Sequence, residues 1–242
     1  MLKLYYARPS AYARPVWLAL LEKQLPFELI PVNLGGAQFD SAFLAINPFS
    51  HVPVLVDGDF RIIESLAILD YLEAQYPERS LLPSDPKSLA KARMVQLVAL
   101  NELLPTIFRL VAHDKASIEH EYARLKAMNA LSFLESLLGD SLYFAGEQLT
   151  LAEIVAGTLV PLVTGLGVNL ADYPRLHTWS TQLLLRPSWQ QISLSPQEWV
   201  EHKRRMRVIP KLWERRRRER MKVLSQDLVK GAGEGLGAAA EA

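Results

Sequence analysis

The chain has 242 residues, of which 50% are hydrophobic and 22% are charged, with a formal net charge of +1. This composition is ordinary for a globular protein of one large or two small domains, and it gives no overall attraction to nucleic acid or membrane. There is no cysteine, which excludes disulfides, thiolate metal sites and cysteine nucleophiles, so any thiol chemistry needs a sulfur that a ligand supplies.

The N-terminal part predicts a small α/β unit that begins with a β-α-β repeat. "LKLYYA" (2–7) alternates in polarity and is rich in aromatics, which favours a strand. Ser10 follows as a candidate N-cap for a helix that ends near Lys23, with Pro15 in the first turn, where a missing N–H does no harm. "FELIPVNL" (27–34) predicts a second strand, parallel to the first across a right-handed crossover.

A hairpin and a second helix complete this unit. The apolar runs 52–56 and 60–63 are joined by Asp57-Gly58, a strong signal for a tight β-hairpin. Glu64-Ser65 then opens "ESLAILDYLEAQY", whose apolar positions have helical spacing. The predicted order is therefore β-α-β-β-β-α.

Beyond a proline-rich linker, the pattern is helical. "PERSLLPSDPKS" (77–88) holds three prolines and has no periodicity. Ala90 to Leu110 predicts one long helix with a bend at Pro105. Tyr122 to Leu138 predicts another, which Gly139 would end.

The last third of the chain changes character. Thr150 and Glu153 have the spacing of a capping box ahead of an apolar run, which predicts a helix buried on all sides. Between Lys203 and Lys222 the sequence is dense in arginine and lysine. "GAGEGLGAAAEA" (231–242) is of low complexity, and we expect it to be disordered.

Several motifs, taken together, resemble a cytosolic glutathione transferase of the serine-type, theta-like pattern. They are "NPFSHVPVLVDGDF" (47–60) with the "ES" that follows, "YFAGEQLTLAEI" (143–154) and "RPSWQ" (186–190). The resemblance covers about residues 1–195 and implies an α/β N-terminal thioredoxin-like domain followed by an all-α C-terminal domain. The implied organisation is a glutathione-binding domain at 1–78, a linker at 79–89, a helical domain at 90–200, a basic helical extension at 201–225 and a disordered tail at 226–242.

The resemblance implies that glutathione binds along these motifs. In this family the bond corresponding to Val52-Pro53 is cis, and the N–H and C=O of Val52 would pair with the cysteinyl part of glutathione like a short antiparallel strand. The N–H and hydroxyl of Ser65, at a helix N-terminus, suit the γ-glutamyl carboxylate. Glu64 suits the γ-glutamyl ammonium.

Two further groups, Gln38 and His51, fall where the family holds the glycine carboxylate of glutathione. His51 replaces a commoner lysine or glutamine, and Ser50 stands where the family usually has glycine. Each motif also has a plainer explanation, since Pro53 could open a strand with a trans bond and Glu64-Ser65 could be only a helix cap. The combination is what favours a binding site.

Ser10 is the group that we expect to activate the thiol. "PSAYARPV" (9–16) matches the theta-like pattern in which an arginine, here Arg14, follows the serine by four residues. Lowering a thiol pKa by about two units takes about 2.7 kcal/mol, which one charged hydrogen bond and a helix N-terminus supply. The hydroxyls of Tyr5, Tyr6 and Tyr12 remain alternatives, Ser10 could be only an N-cap, and Arg14 could be only a solvated helix residue.

The implied ligands are glutathione as co-substrate and a hydrophobic electrophile that lies between the domains, with no other cofactor and no metal. Since the family is usually dimeric, we expect a homodimer, in which Asn101 or Glu102 could reach the glutathione of a neighbouring subunit. The N-terminus lacks the apolar run of a signal peptide and no run approaches 18 apolar residues, so we expect a cytoplasmic protein without a transmembrane helix. Candidate apolar walls for the electrophile are Tyr12, Ile107, Phe108, Val111 and the indole of Trp199 or Trp213.

Other functions stay open on the sequence alone. A non-catalytic binding module would have the same fold, although such modules are marked by a broken glutathione site. Dehalogenation or peroxidase activity with glutathione would use the same residues. The basic stretch could bind phosphates or cover the electrophile pocket as a lid, but few aromatics interrupt it, so we expect a solvated helix face and no nucleic-acid partner.

Overall fold

The computed structural model describes residues 1–208, and its contacts divide the chain into one unit at 1–200 and another at 201–242. In the second unit, residues 201–208 are helical, and Arg205 Nη2 lies 2.5 Å from Glu201 Oε1. The predictions for the rest of the basic extension, for Trp213 and for the tail lie outside the described residues.

Four strands form one mixed sheet at the start of the first unit. They are β1 (Leu2–Tyr6), β2 (Phe27–Pro31), β3 (Val54–Asp57) and β4 (Phe60–Ile63). Their order is β2-β1-β3-β4, with β1 parallel to β2 and β3 antiparallel to both β1 and β4. The predicted parallel pair and the hairpin are both confirmed, and Gly58 in the hairpin turn has a φ of 61°.

Three helices accompany the sheet, and one of them was not predicted. They are α1 (Ala13–Glu22), α2 (Ser41–Leu44) and α3 (Ser65–Gln75). Pro15 lies in the first turn of α1, as expected. The helix α2 has only four residues, too few to show a period in the sequence. Strand β3 begins two residues later than predicted, because Pro53 has no N–H to give to the ladder.

Helices α4 (Pro86–Val98) and α5 (Leu104–Ala112) are consecutive parts of one long helix, joined by a π-helical turn at Ala99–Leu103. In that turn the N–H of Leu104 donates to the C=O of Ala99, five residues back. Pro105 cannot donate, and its ring crowds the carbonyl four residues earlier, so a wider turn before it removes the conflict. A bend was predicted at Pro105, and what the structure shows there is a π turn directly before the proline.

The same long helix bears on the expectation that the chain has no transmembrane helix. By length and composition alone, Pro86–Ala112 is apolar enough to cross a membrane, although its apolar residues are not consecutive. Inside the fold, 56% of its most apolar window is buried against other parts of the chain. That burial is typical of the core helix of a globular domain.

The remaining helices complete the helical part of the first unit. They are α6 (Ile118–Leu138), α7 (Leu151–Leu159), α8 (Pro174–Leu184) and α9 (Pro187–Ile192). Gly139 ends α6 with a φ of 58°, as predicted. The capping box of Thr150 and Glu153 is formed, and every residue of α7 is buried, so both predictions for this helix are confirmed.

The first unit has a sheet part, made of the four strands with α1 to α3, and a helical part, made of α4 to α9. Helix α1 joins them, because it packs against α3 and also against α7 and α9. At its C-terminal end Glu22 accepts a hydrogen bond from Arg186 Nη2 at 2.6 Å and contacts Ser188. Just beyond that end, Lys23 Nζ pairs with Glu73 Oε1 of α3 at 2.9 Å, with both side chains almost fully buried. The C-terminal end of α1 is therefore tied both to α3 and to the segment that carries Arg186 and Ser188.

Candidate functional site

The segments that carry the predicted glutathione-binding motifs meet at one end of the sheet, where three strands begin or end. Because β3 is antiparallel to β1, Tyr5 near the end of β1 pairs with Val54 at the start of β3. Val54 pairs in turn with Ile63 at the end of β4. These three strand ends lead into the turn of Ser10, the Val52-Pro53 bond and the start of α3, so the topology brings together segments that are far apart in the sequence.

The Val52-Pro53 peptide bond is cis, as the resemblance implied. The side chain of Val52 is buried in an apolar cluster with Ala7, at the end of β1, and Val54. Among residues 1–208, no group bonds to the backbone N–H or C=O of Val52. These groups are therefore available to an extended ligand.

The loop before this bond is shaped by a buried asparagine that the sequence reading missed. Asn47 is 2% exposed, its Nδ2 donates to the C=O of His51 at 2.8 Å, and its Oδ1 accepts from the N–H of Phe49 at 3.0 Å. An asparagine directly before a proline is a turn signal that could have been used. The loop leaves His51 exposed and places Ser50 at a φ of 59°.

Glu64, immediately before α3, has an unusual backbone conformation, with a φ of 68° and a ψ of 118°. Its side chain is exposed and makes no capping hydrogen bond to the helix. A non-glycine residue in such a region costs about 1–3 kcal/mol, and residues of this kind cluster at functional sites. Ser65 follows as the buried first residue of α3, with first-turn N–H groups that have no partner within the helix.

Ser10 was predicted to be the N-cap of α1, but that position is Tyr12, whose side chain makes no capping hydrogen bond. Ser10 lies two residues earlier and still bonds to the first N–H groups of the helix. Its C=O accepts from the N–H groups of Ala13 and Arg14, and its Oγ accepts from the N–H of Ala13 at 3.2 Å. A hydroxyl that accepts in this way keeps its own proton to donate. Capping the helix and donating to a ligand are thus compatible roles for this half-buried residue.

Arg14 is not a solvated helix residue, so that alternative is wrong. It is 7% exposed, its Nη1 donates to the C=O of Thr158 at 3.4 Å, and its Nε has no partner in the part of the chain that the structure describes. Among residues 1–208 no carboxylate pairs with it. Burial, followed by the nearby charge of Arg8, lowers the pKa of Arg14 to about 10, so the group stays cationic near neutral pH.

Gln38 points inward in this structure, and its Oε1 is buried without a partner among the described residues, so its role as a glutathione ligand stays a prediction. It is fully buried in a short 3-10 turn, and its Nε2 donates to the C=O of Leu34 at 2.8 Å. Its inward orientation follows from the fold of the segment before α2, which the sequence did not predict. His51 is left as the exposed member of that predicted pair.

The rival tyrosines differ in their surroundings. Tyr5 and Tyr6 lie in β1, where their rings contact Phe43 and Trp17 respectively. Tyr12 lies in the turn before α1 and is 42% exposed. Partial burial, followed by the nearby carboxylate of Glu64, raises the pKa of Tyr12.

The candidate walls for an electrophile are divided between core and surface. Ile107 and Val111 on α5 are each 2% exposed and belong to the core. Phe108 on the same helix is 39% exposed. Trp199 packs on the backbone of Gly165, where an added Cβ would lie 3.0 Å from its Nε1. Both Asn101 and Glu102, in the π turn, are exposed.

One concavity lies along the sheet hairpin, apart from most of the predicted binding residues. This concavity, of about 470 Å³, runs along β3 and β4 and contains none of the predicted binding residues except the rival Tyr5. Within residues 1–208, no three His, Asp or Glu side chains lie close enough together to hold a metal ion.

Known proteins share both parts of this architecture. The chain matches the family models "Glutathione S-transferase, N-terminal domain" over residues 4–80 and "Glutathione S-transferase, C-terminal domain" over residues 112–182. It is 36% identical over 185 residues to glutathione S-transferase Z1 of Arabidopsis thaliana, which covers 72% of this chain and 83% of that protein. It is 31% identical over 193 residues to maleylacetoacetate isomerase of Rattus norvegicus, with 76% and 88% covered. The crystal structure of a glutathione S-transferase from Rhodospirillum rubrum superposes with a TM-score of 0.70 at 30% identity, covering 81% of this chain and 94% of that one.

Proposed function

The chain belongs to the glutathione S-transferase family, and from that premise we propose that it is a serine-type transferase in which Ser10 activates the thiol of glutathione. The Ser10 hydroxyl donates to the sulfur, the thiol proton leaves to solvent, and the thiolate attacks an electrophilic carbon. A carbon–sulfur bond forms as a leaving group departs or a double bond takes up the electrons. The observation that supports this most is the geometry of Ser10, whose Oγ accepts the N–H of Ala13 and keeps its proton for the ligand.

The energetics match the task. A free thiol has a pKa of about 8.5 and is mostly neutral at pH 7. A charged hydrogen bond contributes about 1.5–3 kcal/mol, and a helix N-terminus contributes about 0.3–1 kcal/mol. Their sum lowers a thiol pKa by about 1.3–2.9 units at 1.36 kcal/mol per unit. The buried cation of Arg14, which no carboxylate neutralises among residues 1–208, adds to the positive potential here.

Glutathione is proposed to lie across the end of the sheet where β1 and β4 end and β3 begins. Its cysteinyl backbone would pair with the free N–H and C=O of Val52. Its γ-glutamyl carboxylate would accept from the N–H and hydroxyl of Ser65, and its ammonium would face Glu64, which has no capping role to lose. His51, which is exposed at the end of this loop, is the proposed contact for the glycine carboxylate.

The test is glutathione binding by calorimetry together with conjugation of an aromatic halide by the purified protein. We expect Glu64→Gln to weaken glutathione binding by about tenfold or more, since a charged contact is lost. The matched control is Glu28→Gln. Glu28 is an exposed carboxylate on β2, the edge strand on the other side of the sheet from β4, which Glu64 follows. Wild-type protein that neither binds glutathione nor turns over the halide would overturn the proposal and favour a binding module without this ligand.

A second candidate reaction is isomerisation, because the Rattus norvegicus relative is named maleylacetoacetate isomerase. The substrate in that name carries carboxylates, and the buried cation of Arg14, four residues after Ser10, pairs with no carboxylate among residues 1–208. Assaying maleylacetoacetate and an aromatic halide with the same preparation separates the two reactions. Turnover of the first alone would make the transfer reaction secondary.

Pairing of two chains is also proposed. Large apolar side chains remain exposed on the sheet part and on α4, among them Phe60 at 54% and Leu97 at 47%. Sedimentation equilibrium of the wild type should give twice the mass of the chain. A charged residue at position 97, as in Leu97→Glu, should shift the equilibrium toward monomer if α4 lies in the interface.

A further inference from the structure

Arg8, two residues before Ser10, reaches across to the far end of the first unit. Its Nη2 donates to the C=O of Ser193 at 2.9 Å, and its Nε lies 2.9 Å from Glu198 Oε1. The guanidinium also stacks over the ring of Trp17, 5.5 Å from its centroid. One side chain thus ties the turn of Ser10 to the segment 193–199.

Glu198 is itself held in place. Its Oε2 accepts from the N–H of Ser195 at 2.7 Å, and its own N–H donates to Ser195 Oγ at 3.2 Å. This is a capping box at the start of the helical residues 196–200. The hydrogen bonds from Ser195, followed by the charge of Arg8, lower the pKa of Glu198, which therefore stays ionised near neutral pH.

The segment 193–199 also carries Trp199 onto the helical part. The indole lies so close to Gly165 that a Cβ there would be 3.0 Å from Nε1, a contact that only glycine allows without a shift. On the other side of Ser10, Arg14 reaches Thr158 at the end of α7. The turn of Ser10 is therefore attached to the helical part at two points, one on each side of the serine.

We propose that Arg8 is a positioning residue, which holds the segment 193–199 beside the turn of Ser10 and so places Trp199 as part of the wall that an electrophile meets. This inference rests on the proposed function of Ser10. It assigns to the Arg8–Glu198 pair a role in selecting the electrophile rather than in binding glutathione. Arg8 does not touch the reacting atoms; it acts through the segment that it holds.

The first test needs no activity and uses hydrogen exchange of the full chain. We expect Arg8→Gln to increase exchange of the amides in 193–199 by about tenfold, the size expected for losing an ion pair and a charged hydrogen bond. The matched control is Glu22→Gln, which breaks the pair with Arg186 at the opposite end of α1, about 15 Å away for a helix of this length. That control should raise exchange near 186–190 and leave 193–199 protected.

The second test separates charge from position. Arg8→Lys keeps the cation but loses the fork that reaches both Ser193 and Glu198, so the KM for a bulky aromatic electrophile should rise several-fold. The KM for glutathione and the pH profile of thiolate formation should stay close to wild type. Glu198→Gln retains the cap, because glutamine also fits that position, and it should give a smaller rise.

The outcomes distinguish the two proposals. Loss of protection at 193–199 in a protein that shows no transferase activity would support the link and overturn the proposed function. Transferase activity with unchanged protection and unchanged electrophile KM in Arg8→Gln and Arg8→Lys would overturn the role of Arg8. Equal effects from Glu22→Gln would also overturn it, because they would show a general loosening of the two parts.

Discussion

Replacing Ser10 with alanine gives the sharpest test of the chemistry, because the structure separates the two roles of the hydroxyl. As a cap, Oγ accepts the N–H of Ala13 at 3.2 Å, and its removal should cost about 1 kcal/mol of stability. As a donor to sulfur, it should contribute about 1.5–3 kcal/mol to the thiolate. The second loss corresponds to a rise of about 1–2 units in the pKa of the bound thiol.

The assay is the ultraviolet absorbance of the thiolate in the glutathione complex, followed across pH, with calorimetry to show that glutathione still binds. The first turn of α1 and Arg14 remain in Ser10→Ala, so its thiol pKa should stay at or below that of free glutathione. For a bound thiol whose pKa rises from about 7 to about 8, the thiolate fraction and hence turnover at pH 7 should fall about fivefold, and both should recover as the pH is raised.

Ser117→Ala is the matched control. Ser117 is the N-cap of α6, and its Oγ makes the same kind of bond as Ser10 Oγ, accepting the N–H of a residue three positions on, His120, at 3.2 Å. It should cost similar stability and leave the thiol pKa unchanged. Equal thiol pKa values in the wild type and in Ser10→Ala would refute the reasoning, reduce Ser10 to a helix cap and move the search to Tyr12.

Three further predictions concern the fold around the site. Ser50 has a φ of 59°, a left-handed conformation that glycine adopts at lower cost. Ser50→Gly should therefore raise the free energy of unfolding in denaturant titrations by about 0.5 kcal/mol, which is the penalty removed less the entropy cost of glycine. A loss of stability would contradict this. Lys23→Met leaves the carboxylate of Glu73 buried without its cation and should cost about 3–5 kcal/mol in the same titrations, whereas a near-neutral result would show that the pair is dispensable. The Tyr76 hydroxyl is the main group that lowers the pKa of Asp57, so Asp57 stabilises the fold above its ordinary pKa of 3.8 and loses this effect as the pH falls through its folded value. Tyr76→Phe should therefore raise the pKa of Asp57 toward 3.8 in an NMR titration, and an unchanged value would rule out that hydrogen bond.

Local features of the fold could be predicted from the sequence because their causes lie within a few residues. The Asp57-Gly58 turn, the capping box of Thr150 and Glu153 and the end of α6 at Gly139 all depend on neighbouring groups. The disturbance at Pro105 was also predictable, because a missing N–H acts on the preceding turn. The helix α2 was missed because four residues show no period.

The candidate site was readable as motifs, but its assembly was decided by the tertiary structure. The sequence by itself determined which residues could donate to a thiolate or cap a helix, since those are properties of Ser10 and of the start of α3. Tertiary packing alone determines that Gln38 points inward, that Arg14 of α1 is buried against the end of α7, and that Arg8 reaches Glu198. The physical reason is that burial and charge pairing depend on contacts between segments up to about 190 residues apart, which no local pattern encodes.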